Sequence, residues 1–241
     1  MAHHLAHCLP PHYRNQVREW LEEDAPSFDI GGYVVGEEAV EAFLLCKGTP
    51  EGAGGASVGG AILAGVPYFT AVFESLGCTV EWLFTEGDVI VPPSRAAIVR
   101  GPARAVLLGE RTGLNILTRA SGVATAARAM RQVCDKAGWK GEVAGSRKVT
   151  PGAFRQVEKY ALLVGGVSTH RMDLSQMVML KGASAAGPSL QLRLSQPLHK
   201  VPTSPPLPTP QKTIHAARRQ PRVGCREHHH CSAGCQARGR V

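Results

Sequence analysis

Gly145-Ser146-Arg147-Lys148-Val149-Thr150-Pro151 opens the stretch that decides the fold. It is followed by Phe154-Arg155-Gln156-Val157-Glu158-Lys159-Tyr160, an apolar run over 162–167, Ser168-Thr169-His170-Arg171-Met172-Asp173-Leu174, and a second apolar run that stops at Lys181. Arg147, Lys148, His170, Arg171 and Lys181 each lie at the edge of an apolar run, where a strand would end. Strand ends in α/β folds are where ligands bind. Cationic groups gathered there make a site for a polyanion. The pattern of a strand over 142–144, a helix around 154–160, and further runs at 162–167 and 178–180 predicts the βα units of a parallel sheet or barrel.

Working outward toward the N-terminus, an alanine-rich helix follows Ser121-Gly122 and extends to Gly138. A preceding helix runs from Gly101-Pro102 to about Arg119, with proline at a favoured opening position. Arg111 falls on that helix, where an arginine is ordinarily a solvated or salt-bridged surface group. Three short runs, 79–84, 89–91 and 96–99, are separated by Glu86-Gly87-Asp88 and Pro92-Pro93-Ser94 and predict an antiparallel meander. Residues 67–76 have helical spacing and close at Gly77. The glycine-dense 48–60 lacks the Lys-Ser/Thr of a phosphate loop and reads as a flexible insertion. Residues 40–47 are ambiguous between strand and helix. Over 11–24, Tyr13, Val17, Trp20 and Leu21 form one stripe of a helix.

Charge divides the chain. Of 27 Lys+Arg and 19 Asp+Glu, residues 1–181 carry 18 of each, so the net +8 belongs to residues 182–241, which hold only Glu227 against nine basic groups. Those 60 residues also hold eight of the 17 prolines and no aromatic residue. The N-terminus lacks the basic and apolar regions of a signal peptide, and no apolar run approaches the roughly 20 residues needed to span a bilayer. Seven scattered cysteines without a framework pattern read as reduced thiols of a cytoplasmic protein.

Gly109-Glu110-Arg111, Leu114-Asn115, Ser121-Gly122-Val123-Ala124-Thr125, Arg147-Lys148, Thr150-Pro151, Glu158-Lys159-Tyr160, Gly165-Gly166, His170-Arg171-Met172-Asp173-Leu174 and Lys181 together resemble the quinolinate phosphoribosyltransferase family, in order, from about Leu9 to Lys181. The resemblance implies an α/β fold class. An open-faced α+β sandwich would occupy 1–138, and the first βα units of an incomplete α/β barrel 139–181. It implies transfer of phosphoribose from phosphoribosyl pyrophosphate to quinolinate with magnesium, releasing pyrophosphate and carbon dioxide and giving nicotinate mononucleotide for NAD synthesis, in a homodimer or homohexamer. Arg147, His170 and Arg171 would hold the quinolinate carboxylates. Lys148 and Lys181 would lie by the transferring phosphoribosyl group, and Arg111 would reach into a neighbouring subunit's site. Arg155 and Lys159 are expected to be solvated helix charges, and Glu158 a structural ion-pair partner rather than a general base.

The sequence departs from the family pattern in four places. The 48–62 connection is longer by about ten residues, a tolerable change for an exposed loop. Val149 replaces the usual threonine, and Ala153 is an extra residue before Phe154. After Lys181 the family's Asp-Asn-His is replaced by Gly-Ala-Ser, and the acidic residues that would position magnesium and ribose are not found in 182–241. That tail is expected to be disordered, its sequence that of a splice variant or gene-model product. Cys225, His228, His229, His230, Cys231 and Cys235 fit no standard zinc spacing, so no protein metal site is assigned. Weak, salt-sensitive nucleic-acid contact by the tail is the remote reading. The alternative to catalysis is a chain that keeps the sandwich and pairs with full-length subunits.

Overall fold

A computed structural model describes residues 2–48, 58–173 and 175–176. They belong to one compact unit, Met1–Lys181. The tail and Lys181 lie outside the described residues, as do 49–57 of the glycine-dense insertion.

After a 3-10 turn, Ala2–Cys8, helix α1 (Tyr13–Asp24) buries Val17 and Leu21. The short α2 (Ile30–Val35) begins where Asp29 accepts the Gly32 N–H at 2.7 Å. Strand β1 (Ala39–Cys46) resolves the ambiguous 40–47 segment, because its burial alternates residue by residue. Next come β2 (Ala61–Ile62), α3 (Val66–Ser75), β3 (Thr79–Trp82), β4 (Val89–Ile90) and β5 (Ser94–Pro102). Two helices complete the described chain, α4 (Ala103–Lys136) and α5 (Phe154–Val164).

The meander needs correction. Strand β5 lies between β1 and β3, antiparallel to both, while β4 pairs with β2 in a separate two-stranded sheet. The Glu86 carboxylate explains the diversion. It accepts the N–H groups of Gly65 and Val66, at 2.8 and 2.9 Å, at the start of α3, and Leu63 donates to the Asp88 carbonyl at 2.9 Å. The chain after β3 is thereby drawn toward β2 before it returns as β5.

The two helices expected over 101–138 are one helix of 34 residues, and Gly101-Pro102 ends β5 rather than opening it. Ser121 does not break α4, because its hydroxyl turns outward and exchanges hydrogen bonds with the Ala64 backbone at 3.1 and 3.2 Å. Thr125 acts similarly, accepting from the Ile62 N–H at 2.9 Å and donating back to the Ser121 carbonyl at 2.7 Å. These hydroxyls fasten β2 to the helix.

Tyr68, Val72, Val17 and Ile116, all at most 1% exposed, centre the core between α1, α3 and α4. The three-stranded sheet packs one face on these helices through Leu44, Val80 and Trp82. Its other face is open, with Phe43 and Leu45 exposed and Arg100 bridging Glu41 and Glu81 across three strands. The open-faced sandwich is thus an α+β arrangement, and a βα unit follows it. Residues 162–164 continue α5 instead of starting a strand: Val157, Tyr160, Ala161 and Val164 are buried at helical spacing. Gly166, at φ +85°, ends the helix in a conformation that side chains disfavour. The strand position beyond it is the parallel bridge Ala144↔Ser168.

Candidate active site

That bridge sets the site's geometry. Ser168 donates its N–H to the Val143 carbonyl at 2.8 Å, and Gly145 donates to the Ser168 carbonyl at 2.8 Å. The backbone therefore leaves two adjacent strand ends side by side. One exit carries Ser146-Arg147-Lys148, the other Thr169-His170-Arg171. Four of the five strand-end residues singled out in the sequence are gathered at one edge. Lys181 is outside the described residues.

The first loop is held from inside and from below. Lys148 donates its N–H to Ser146 Oγ at 2.9 Å, and Val149 to the Arg147 carbonyl at 3.1 Å. Glu158 on α5 accepts both the N–H and the hydroxyl of Thr150, at 2.9 and 2.7 Å. The same carboxylate is 3.3 Å from Arg119 on α4. Its structural assignment is therefore correct: its oxygens already serve the loop, leaving Arg147 and Lys148 exposed above it.

In the second loop His170 has φ +58°, a left-handed conformation that costs a residue with a Cβ of order 1–3 kcal/mol. Its Nδ1 accepts the Arg171 N–H at 2.6 Å. This places the neutral ring's proton on Nε2, which is left as a donor for a ligand. Arg171 is buried, 8% exposed. Asp173 accepts from the Ser175 backbone and hydroxyl at 2.8 and 2.5 Å, bonds that hold its carboxyl below the usual range.

Lys159 corrects the expectation of a solvated charge, being only 2% exposed. It points from α5 beneath both loops, and its Nζ donates to the carbonyls of Ser146 at 3.2 Å, Thr169, and Arg171 at 3.4 Å. Burial, reinforced by the nearby Arg155 charge, lowers its pKa, against an opposing pull from Glu158. The helix around 154–160 was legible in the sequence; only the convergence of carbonyls from two loops turns Lys159 inward.

Arg111 stands apart from this edge. It lies on α4, 3.3 Å from Asp24, with a side chain 75% exposed. It lines an open cleft of about 760 Å³ with Asp24, Phe28 and Asn115, and none of the described strand-end cations lines that cleft.

Paired strand-end loops carrying guanidinium, ammonium and imidazole groups beside an open-faced sandwich define an α/β protein with a basic strand-end edge. Residues 29–121 match the family "Quinolinate phosphoribosyl transferase, N-terminal domain", and residues 123–190 match its C-terminal domain. The chain belongs to the quinolinate phosphoribosyltransferase family. It is 46% identical over 181 residues to the nicotinate-nucleotide pyrophosphorylase [carboxylating] of Homo sapiens, an alignment covering 75% of this chain and 57% of that protein. With the Dictyostelium discoideum protein of the same name it shares 42% identity over 180 residues, covering 68% and 56% respectively. The chain thus spans little more than half the length of these relatives. Among solved structures, the nicotinate-nucleotide pyrophosphorylase of Francisella tularensis matches with a TM-score of 0.62 at 26% identity, over 73% of this chain and 59% of that one.

Proposed function

We propose that the strand-end edge is the carboxylate-gripping part of a site that transfers phosphoribose from phosphoribosyl pyrophosphate to quinolinate. The observation that carries this reading is the parallel bridge between Ala144 and Ser168, which sets Arg147-Lys148 beside His170-Arg171. Both substrates are polyanions, and their mutual repulsion must be offset before they can react. Guanidinium groups match carboxylates through paired hydrogen bonds, and an ammonium matches phosphate as a point charge. Arg147, His170 Nε2 and Arg171 would orient the two ring carboxylates, and Lys148 would face the phosphoribosyl group. The pyridine nitrogen then attacks the anomeric carbon as its bond to pyrophosphate breaks, so negative charge grows on the departing oxygen near fixed cations. Loss of the carboxylate next to the ring nitrogen as carbon dioxide leaves an electron pair that takes up a proton, giving nicotinate mononucleotide.

The described residues do not fit a magnesium ion. Arg147, Lys148 and Arg171 at the edge are cationic, and no group of three or more His, Cys, Asp or Glu is placed to hold a metal among the described residues. Magnesium would enter with phosphoribosyl pyrophosphate as part of that substrate. The test is nicotinate mononucleotide formation by the purified chain with and without magnesium. Turnover that falls by about 10²- to 10³-fold in Arg147→Ala supports the reading, and no turnover beside an active full-length relative sinks it for this chain.

A second reading is favoured by the surface around α2, where Phe28, Tyr33 and Val34 are 90%, 87% and 77% exposed near the cleft that holds Arg111. In it the chain pairs with full-length subunits and presents Arg111 to their sites. Co-purification with a full-length relative is the expected result, and failure to associate at equal concentrations of the two proteins counts against it.

A further inference from the structure

The three hydrogen bonds of Lys159 are distributed in a way that core anchoring does not require. Thr169 and Arg171, two of its carbonyl partners, flank His170, the left-handed residue. The third partner, Ser146, immediately precedes Arg147. An ammonium has three donors in a tetrahedral fan, so this one head group is satisfied by three carbonyls and satisfies them in turn. A buried charge without such partners would be strongly disfavoured. A planar guanidinium cannot direct its donors into the same convergent point. Glu158, the adjacent residue, grips the far end of the first loop through Thr150. One turn of α5 therefore holds both loops.

We infer that Lys159 is a positioning residue: its ammonium group ties the two cationic loops into one rigid edge and holds the left-handed turn that aims His170. Lys159 does not touch the ligand. It acts through the backbone beneath Arg147, His170 and Arg171, presetting the separation of the groups that meet a dicarboxylate. This role rests on the quinolinate reading for its ligand but not for its mechanics, and the two are separable by experiment.

The test uses the full 241-residue chain with Lys159→Met, which keeps apolar bulk and removes the donors, and Lys159→Ala, which leaves a channel. Amide exchange is followed at 145–150 and 168–172, and quinolinate affinity by calorimetry. In Lys159→Met, exchange in both segments should accelerate by roughly 10-fold or more, as expected for losing charged hydrogen bonds, while α1, α3 and α4 keep their protection. Quinolinate should bind roughly 10-fold more weakly or worse. Excess ethylammonium should restore both properties to Lys159→Ala and not to Lys159→Met, whose side chain fills the channel.

Unchanged exchange at the two loops would overturn the inference. So would faster exchange with unchanged quinolinate affinity, which reduces Lys159 to a structural anchor. Loss of cooperative unfolding in both variants would make it a determinant of the whole fold, and the assignment would fall. If wild type does not bind quinolinate, the proposed substrate fails while exchange and ethylammonium rescue still decide the clamp.

Discussion

Tyr68 and Lys159 are buried almost equally, 1% and 2% exposed, but in opposite surroundings. Tyr68 sits among rings, with Tyr13, Tyr160 and Trp20 centroids at 5.4, 6.1 and 6.4 Å. Lys159 sits among carbonyl oxygens. The sandwich region is held by apolar packing, which is non-directional and spread over many side chains. The edge of the βα unit is held by a few directional polar bonds. Dispersed packing tolerates the loss of a polar contact, whereas an edge built on individual hydrogen bonds sets its geometry by each of them. The edge proposed to bind is therefore the region whose shape a few side chains control.

The largest expected effect tests the apolar side of that comparison. Tyr68→Ala removes the ring where α1, α3 and α5 converge and should destabilise the chain by about 3–5 kcal/mol. Denaturant unfolding should show it as a fall in midpoint without loss of cooperativity. A loss below about 1 kcal/mol, smaller than ordinary core truncations, would mean that the ring cluster is not the keystone of the sandwich.

Glu86 is the polar exception inside the sandwich. Burial pushes its carboxyl up to about 7, overcoming the hydrogen bonds from Gly65 and Val66 that favour the anion. The folded state thus holds a proton that the unfolded chain, near the ordinary 4.5, releases. Between those two values folding binds the extra proton, so this group's contribution to stability falls as pH rises and is flat above about 7. The span corresponds to up to about 3 kcal/mol. Glu86→Gln keeps an acceptor oxygen and removes the titration. The difference between wild-type and variant stability should decline across that interval, and a difference that is constant or rises would show that the hydrogen bonds outweigh burial.

How much of this was legible follows from the same division of forces. Helices α1 and α3 announce themselves by apolar spacing, because packing reads residue type and period. Four strand-end residues could be found because each follows or ends an apolar run. The pairing of β4 with β2 could not, since it depends on where the Glu86 oxygens find N–H groups 20 and 21 residues away in the chain. The continuity of α4 was hidden for a similar reason: Ser121-Gly122 is a breaker by composition, and its hydroxyl is engaged by Ala64 only in the folded chain. Lys159 was misread because lysine by type belongs to solvent, and nothing local records that three carbonyls from two separate loops converge on it.

The smallest effect concerns the seam between the two regions. At Gly165, where α5 ends, an added Cβ would lie 2.5 Å from the Ala127 Cβ and 2.7 Å from the Ala124 carbonyl oxygen. Both belong to α4, and a helix backbone cannot yield to one methyl group. Arg128 reinforces the contact, donating to the carbonyls of Gly165 and Val164 at 3.2 Å each. Gly165→Ala should therefore push α5 off α4 and destabilise by about 1–3 kcal/mol. Exchange should quicken at 145–150 and 168–172, because α5 carries Glu158 and Lys159 beneath those loops. Gly122, in the same long helix, has nothing within 4 Å of an added Cβ, and Gly122→Ala should stabilise by about 0.4–1 kcal/mol. Opposite signs from one methyl group at two glycines would locate the dependence of the binding edge on the sandwich at the α4–α5 contact. Equal signs would show that the edge keeps its geometry without that contact.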